Sequence, residues 1–152
     1  MLTSDHPNAK LFERIYSPTL NGAAPASLDT AITEPFIAHT AGHGPIGGTF
    51  VGLEAFKGHI ALLRHLSGGT LRRASIEYSA DDHWAVVSQL MTASRNGQTL
   101  EMQVAGFWRF SGPGQLTEHW EAVSDESAWD AFWNTPAAPV RADDLSEGSA
   151  SA

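Results

Sequence analysis

The chain has 152 residues, a formal net charge of −8, 42% hydrophobic and 17% charged residues, and no cysteine. That length fits one domain with a sizeable core. The acidic balance argues against nucleic acid and anionic membrane surfaces as partners, and the missing thiols exclude disulfides, cysteine nucleophiles and thiolate metal sites.

The N-terminus shows no basic stretch followed by an apolar one, and no apolar run is long enough to span a bilayer, so a cytoplasmic location is expected. Ser4-Asp5-His6-Pro7 reads as a helix start, and Leu11, Phe12, Ile15 and Tyr16 follow at helical spacing. Pro18 and Asn21-Gly22 end that helix. A shorter helix is expected from Pro25 to Ala31, then a strand from Pro35 to Thr40. Ala41 to Gly52 holds five glycines and reads as a loop, with a brief strand near Thr49 to Val51. Leu53 to Leu66 is the clearest helix, with Phe56, Ile60 and Leu63 on one stripe and Ser67-Gly68-Gly69 beyond its end. His59 and His65 read as surface residues of that helix.

From Thr70 the hydrophobic period becomes two. Leu71–Ser79, Trp84–Arg95, Gln98–Ser111 and Gln115–Val123 are the expected strands, joined by short turns into an antiparallel meander. Asn96-Gly97 is the strongest hairpin signal. Val86-Val87, Leu90-Met91 and Phe107-Trp108 put apolar residues on both faces, which calls for a second cover and suggests a homodimer. Ser127 to Asn134 forms a last helix. Residues 136–152, rich in alanine, serine and acidic groups, are expected to be a disordered tail behind a single domain of residues 1–135.

The last strand carries the densest chemistry. Alternation puts Leu116, Glu118, Trp120 and Ala122 on one face, and Thr117, His119, Glu121 and Val123 on the other. An imidazole and a carboxylate two residues apart can share one ligand. Buried among Phe107, Trp108 or Trp120, the Glu121 carboxyl would hold its proton to higher pH and suit acid/base work, with His119 as its polar partner. His39, closing the first strand, is a further donor candidate, and Tyr16 offers a hydroxyl. Phe36, Phe50, Trp84, Trp108 and Trp120 would line an apolar cavity. His39, His43 and His119 show no tight metal-binding spacing, so no metal and no other cofactor are expected. No serine-hydrolase or phosphate-loop pattern is present.

The phrases Phe36-Ile37-Ala38-His39, Gly47 to Phe56, Trp108-Arg109-Phe110 and Leu116 to Glu121, with the order of elements, resemble the nuclear-transport-factor-2-like superfamily and, within it, SnoaL-like polyketide cyclases. The resemblance spans roughly Asn8 to Trp133. It implies an α+β cone, a curved sheet around a pocket closed by N-terminal helices, the cystatin-like architecture. It also implies that Glu121 stands where the cyclases carry their acid/base aspartate. The position matching a frequent His or Asp partner on the neighbouring strand is Gly106. The expected function is cofactor-free acid/base chemistry on an apolar carbonyl compound, of cyclase or ketosteroid-isomerase type. Glu121, His119 and His39 would be catalytic, and Tyr16, Phe50, Trp108 and Trp120 would bind the substrate. A non-catalytic ligand-binding or dimerisation module is the alternative. A limonene-type epoxide hydrolase, which needs an Asp-Arg-Asp arrangement, is a further one.

Overall fold

The computed structural model describes residues 1–26 and 28–136. The elements run α1 (Pro7–Tyr16), α2 (Leu28–Ala31), β1 (Ile32–Thr40), β2 (Gly48–Val51), α3 (Leu53–Leu66), β3 (Arg72–Ala80), β4 (Trp84–Arg95), β5 (Gln98–Gly112), β6 (Gln115–Val123) and α4 (Glu126–Asn134). The expected boundary between residues 135 and 136 lies at the edge of this range, and residues 137–152 of the expected tail lie outside it, as does Ser27 near the start of the expected second helix. Among the described residues no helix is long and apolar enough to cross a membrane.

The six strands form one open mixed sheet in the order β2-β1-β6-β5-β4-β3. The expected meander is its β3-to-β6 half. Its central hairpin turns at Asn96 and Gly97, whose φ angles of 53° and 74° are the left-handed pair that a tight hairpin requires. β1 joins β6 in parallel, with Ala38 beside His119, and β2 closes that edge antiparallel to β1. The first helix begins later than Ser4-Asp5 suggests. His6 is the cap, its Nδ1 accepting the Asn8 N–H at 3.1 Å, with Pro7 in the first turn where no N–H is needed. α3 is capped from outside its own sequence, because the Glu34 carboxylate accepts the Leu53 N–H at 2.6 Å.

Strand alternation sends Ala85, Val87 and Met91 of β4 and Val104, Trp108 and Phe110 of β5 to the inner face. Phe12, Ile15, Phe36, Trp108, Phe110 and Leu116 pack there into one cluster beneath α1. A second cluster gathers Leu63, Met91, Met102, Val104, Trp129 and Phe132 beneath α4. At ~1.5–3 kcal/mol for each large apolar side chain removed from water, these two clusters dominate the stability. Two irregularities steer side chains. β3 bulges between Ala74 and Glu77, where Ser75 has a φ of 50°. β6 slips between Glu118 and Leu116 relative to β5, leaving Thr117 unpaired. Strict alternation therefore fails at Thr117, and Leu116 lies on the same inner face as His119 and Glu121.

Candidate functional site

A cavity opens where the two clusters meet. Its walls come from α1 (Tyr16), α3 (Phe56, His59, Ile60, Leu63), β3 (Arg73), β4 (Gln89), β5 (Val104, Gly106, Trp108) and β6 (His119, Glu121). The cavity volume is ≈ 30 Å³, so the interior is a narrow slot.

Glu121 sits on β6 directly across from Gly106 on β5, the pairing that the family resemblance implied. Its carboxylate accepts the Ala41 N–H at 3.2 Å, which ties it to the glycine-rich loop. Burial raises its pKa above the ordinary glutamate value, while the Ala41 N–H and the Arg73 charge pull it back. His119 is 5% exposed and its ring lies 4.0 Å, centroid to centroid, from that of Trp108. Burial, then the nearby His59 and His39, push its pKa down to about 3, so it works as a neutral imidazole. Gly106 makes room for it: a Cβ at that position would stand 3.0 Å from the His119 Nε2. Tyr16 is pushed up to about 12, chiefly by burial; Arg73 opposes the shift and Glu121 adds to it. Its hydroxyl therefore stays protonated and able to donate. The Trp108 indole lies near enough to that hydroxyl to lower its pKa slightly, but without the geometry of a hydrogen bond.

Two expected site residues face the other way. His39 pairs with Trp120 across β1 and β6, and both point to the outer face. There His39 Nε2 meets the Glu118 carboxylate at 2.7 Å, and its ring stacks on Trp120 at 5.3 Å. Arg109 donates to the same carboxylate at 2.7 Å. The cause is parity: His39 neighbours Ala38, whose side chain is buried inside, so His39 must point out. Trp84 is likewise outside, 42% exposed and 5.7 Å from Trp120. Phe50 stays on the inner side, behind the wall, with its ring 4.8 Å from that of His59. His43 is removed from both faces, bonded to Asp130 at 2.7 Å and beside Glu126 at 3.8 Å.

His59 and Arg73 are the residues that the sequence reading missed. His59 is buried, not on the surface, because it falls between Phe56 and Ile60 on the inward stripe of α3. Its pKa is pushed down to about 4, by burial and then by Arg73. Arg73 looks like a solvated strand residue beside Arg72. Its pairing with Met91, an inner residue of β4, was the signal that turns it inward.

No protein-family model and no curated protein matches the sequence. Solved structures do. Bal32a, from a soil-derived mobile gene cassette, is 26% identical, with 86% of this chain and 99% of that chain covered at a TM-score of 0.74. A cystatin-like-fold protein of unknown function from Xanthomonas campestris is 22% identical, covering 83% and 97%, at 0.72. A SnoaL-like protein from Jannaschia sp. CCS1 is 15% identical, covering 86% and 93%, at 0.65. An open sheet roofed by N-terminal helices over a polar-lined slot is the nuclear-transport-factor-2-like, cystatin-like class of α+β fold. This chain has that fold, the one shared with SnoaL-like proteins.

Proposed function

We propose that the protein is a small-molecule enzyme of SnoaL-like type, using acid/base chemistry run by its own side chains on a carbonyl compound with an apolar body. The observation that carries this reading is Glu121. It is a carboxylate with raised pKa in an aromatic-walled slot, opposite a glycine whose missing side chain lets the His119 and Trp108 rings close in beside it. Glu121 would take a proton from the carbon next to the carbonyl. The neutral Tyr16 hydroxyl would donate to the oxygen on which charge develops, and His119 would add a second neutral polar contact. Cyclisation and isomerisation both begin with this step. The slot's lining holds one carboxylate among the described residues, so the two-carboxylate arrangement of an epoxide hydrolase is not assembled.

The test is solvent deuterium exchange at the α-carbon of a panel of cyclic ketones and 1,3-dicarbonyl compounds, followed by NMR. The native protein should catalyse exchange into at least one of them. Glu121→Gln should slow that exchange by ~10²–10⁴-fold, the usual share of a general base. Full exchange by the Gln variant would remove Glu121 from the mechanism. The second reading, a binding module of the same fold, is favoured by the absence of a second carboxyl or imidazole at Gly106. It expects ligand affinity with no exchange. We also propose that a second copy covers the outer sheet face, where Phe107 is 40% and Trp84 42% exposed. Light scattering that finds only a monomer at micromolar concentration would count against this.

A further inference from the structure

Of the buried side-chain nitrogen and oxygen atoms without a hydrogen-bond partner among the described residues, five belong to residues lining the slot: His59 Nδ1, Arg73 Nε, Gln89 Oε1, Trp108 Nε1 and His119 Nδ1. The remaining two, on Trp129 and Trp133, lie in the second cluster. Polar groups removed from water are normally paired, so this concentration marks a place shaped for something that brings its own polar atoms. Arg73 is the most costly of the five. It is a guanidinium only 9% exposed, its Nε has no partner, and no carboxylate lies within ion-pairing distance of it among the described residues. Burying a guanidinium while its Nε–H donor goes unpaired is costly. Glu121 feels the Arg73 charge from across the slot without pairing with it. The space between base and cation is therefore the space for a ligand.

We propose that Arg73 is the anion anchor of this slot, and that its ligand is a flat organic acid carrying a carboxylate or enolate oxygen. This deepens the acid/base reading and rests on it for the chemical step. The guanidinium presents a planar fork of donors that matches an sp² oxyanion. The narrow space and the Trp108 and Phe56 rings favour a flat body. In the reaction the substrate's C–H bond breaks and its proton forms an O–H bond on Glu121. The released electron pair becomes the carbon–carbon π bond of an enolate, and the carbonyl π pair moves onto the oxygen facing Arg73 and Tyr16. The positive charge fixed on Arg73 then faces an oxygen whose negative charge grows as the proton leaves, which is where an electrostatic contact accelerates a step most.

The experiment compares matched acids and amides: benzoate with benzamide, and 2-naphthoate with 2-naphthamide, by calorimetry on the full chain. The native protein should bind at least one acid about tenfold or more tighter than its amide. Arg73→Met should abolish that preference, Arg73→Lys should keep part of it, and Arg64→Ala, outside the slot's lining, should leave it intact. Equal affinity for acids and amides, no binding of any of the four at millimolar concentration, or a preference that survives Arg73→Met would each overturn the proposal. Should Arg73→Met not fold, the native comparison and Arg73→Lys still decide it. Glu121→Gln separates the two readings. It should keep the acid preference while losing deuterium exchange. Exchange without an acid preference leaves the base in place and removes the anchor, whereas a preference without exchange leaves a binding protein.

Discussion

β6 contributes the carboxylate to two histidine–carboxylate groupings, one on each sheet face, the outer imidazole coming from His39 of β1, and the two differ in what surrounds them. Outside, Glu118 is held by His39 and Arg109, each at 2.7 Å, and its pKa is lowered, first by His39. That network is satisfied by the protein's own atoms. Inside, Glu121 has one backbone N–H, His119 leaves its Nδ1 unpaired, and the nearest cation stands off. The same two residue types thus serve as support on one face and offer unmet capacity on the other. Capacity left open in a dry place is what a ligand can use.

The sharpest way to break the contrast is to exchange the two carboxyls for amides. Glu121→Gln should remove ~10²–10⁴-fold of α-proton exchange, whereas Glu118→Gln should leave that rate within about twofold. Equal losses from the two would dissolve the distinction. The next effect in size is acid sensitivity. His59 and His119 have folded pKa values near 4 and 3, below the ~6.5 of an unfolded histidine. Between about pH 6.5 and 4 the unfolded chain therefore binds two protons that the folded chain refuses. Stability is full above that window and falls as pH drops through it, by up to ~1.4 kcal/mol per pH unit for each histidine. Glu121 acts in the opposite sense, since its raised pKa favours the folded state on acidification, and Glu121→Gln should steepen the loss. Denaturant melts of the two proteins at matched pH check the sign. NMR shifts of both imidazoles that move with pH already above 5.5 would refute their burial.

Smaller still is Gly106→Ala. Its Cβ would crowd the His119 Nε2 at 3.0 Å and the Trp108 Nε1 at 3.3 Å, which should cost ~1–3 kcal/mol and weaken ligand binding. A variant of native stability and affinity would show that the ring gives way freely. The least effect should come from Glu118→Ala, below ~1 kcal/mol by thermal melting, since an ion pair at a partly solvated surface contributes little.

Much of this was legible from residue order. Leu53–Leu66, Trp84–Arg95 and Gln115–Val123 match the observed elements in both bounds, because their caps, turn residues and periods agree with one another. Glu121, His119, Tyr16 and Trp108 do meet in one cavity. His39 was misplaced because the face of a strand depends on the register of its neighbour, and β1 lies beside β6 through a parallel pairing that no short turn announces, whereas the outward side of Trp120 already followed from alternation along β6, which the expected substrate contact overlooked. Arg73 was invisible for a related reason. Polar residues on an edge strand normally read as solvated, and only a lid of helices over that edge makes one of them interior.

The unpaired Thr117 has a consequence for how this protein can change. In β5 and β6 the register is irregular from Arg109 to Gly112 and regular from Arg109 back to Val104, the stretch that holds Gly106 against Glu121. The irregular part acts as a slip joint between the outer turn and the working part of the strands. A residue gained or lost near Gly112–Gln115 can be absorbed there, while the orientation of His119 and Glu121 stays clamped by Ala38 on one side and by Trp108 and Gly106 on the other. A change in the length of that turn would forfeit the Gly114 N–H bond to the Asn8 Oδ1 but leave the base in its slot.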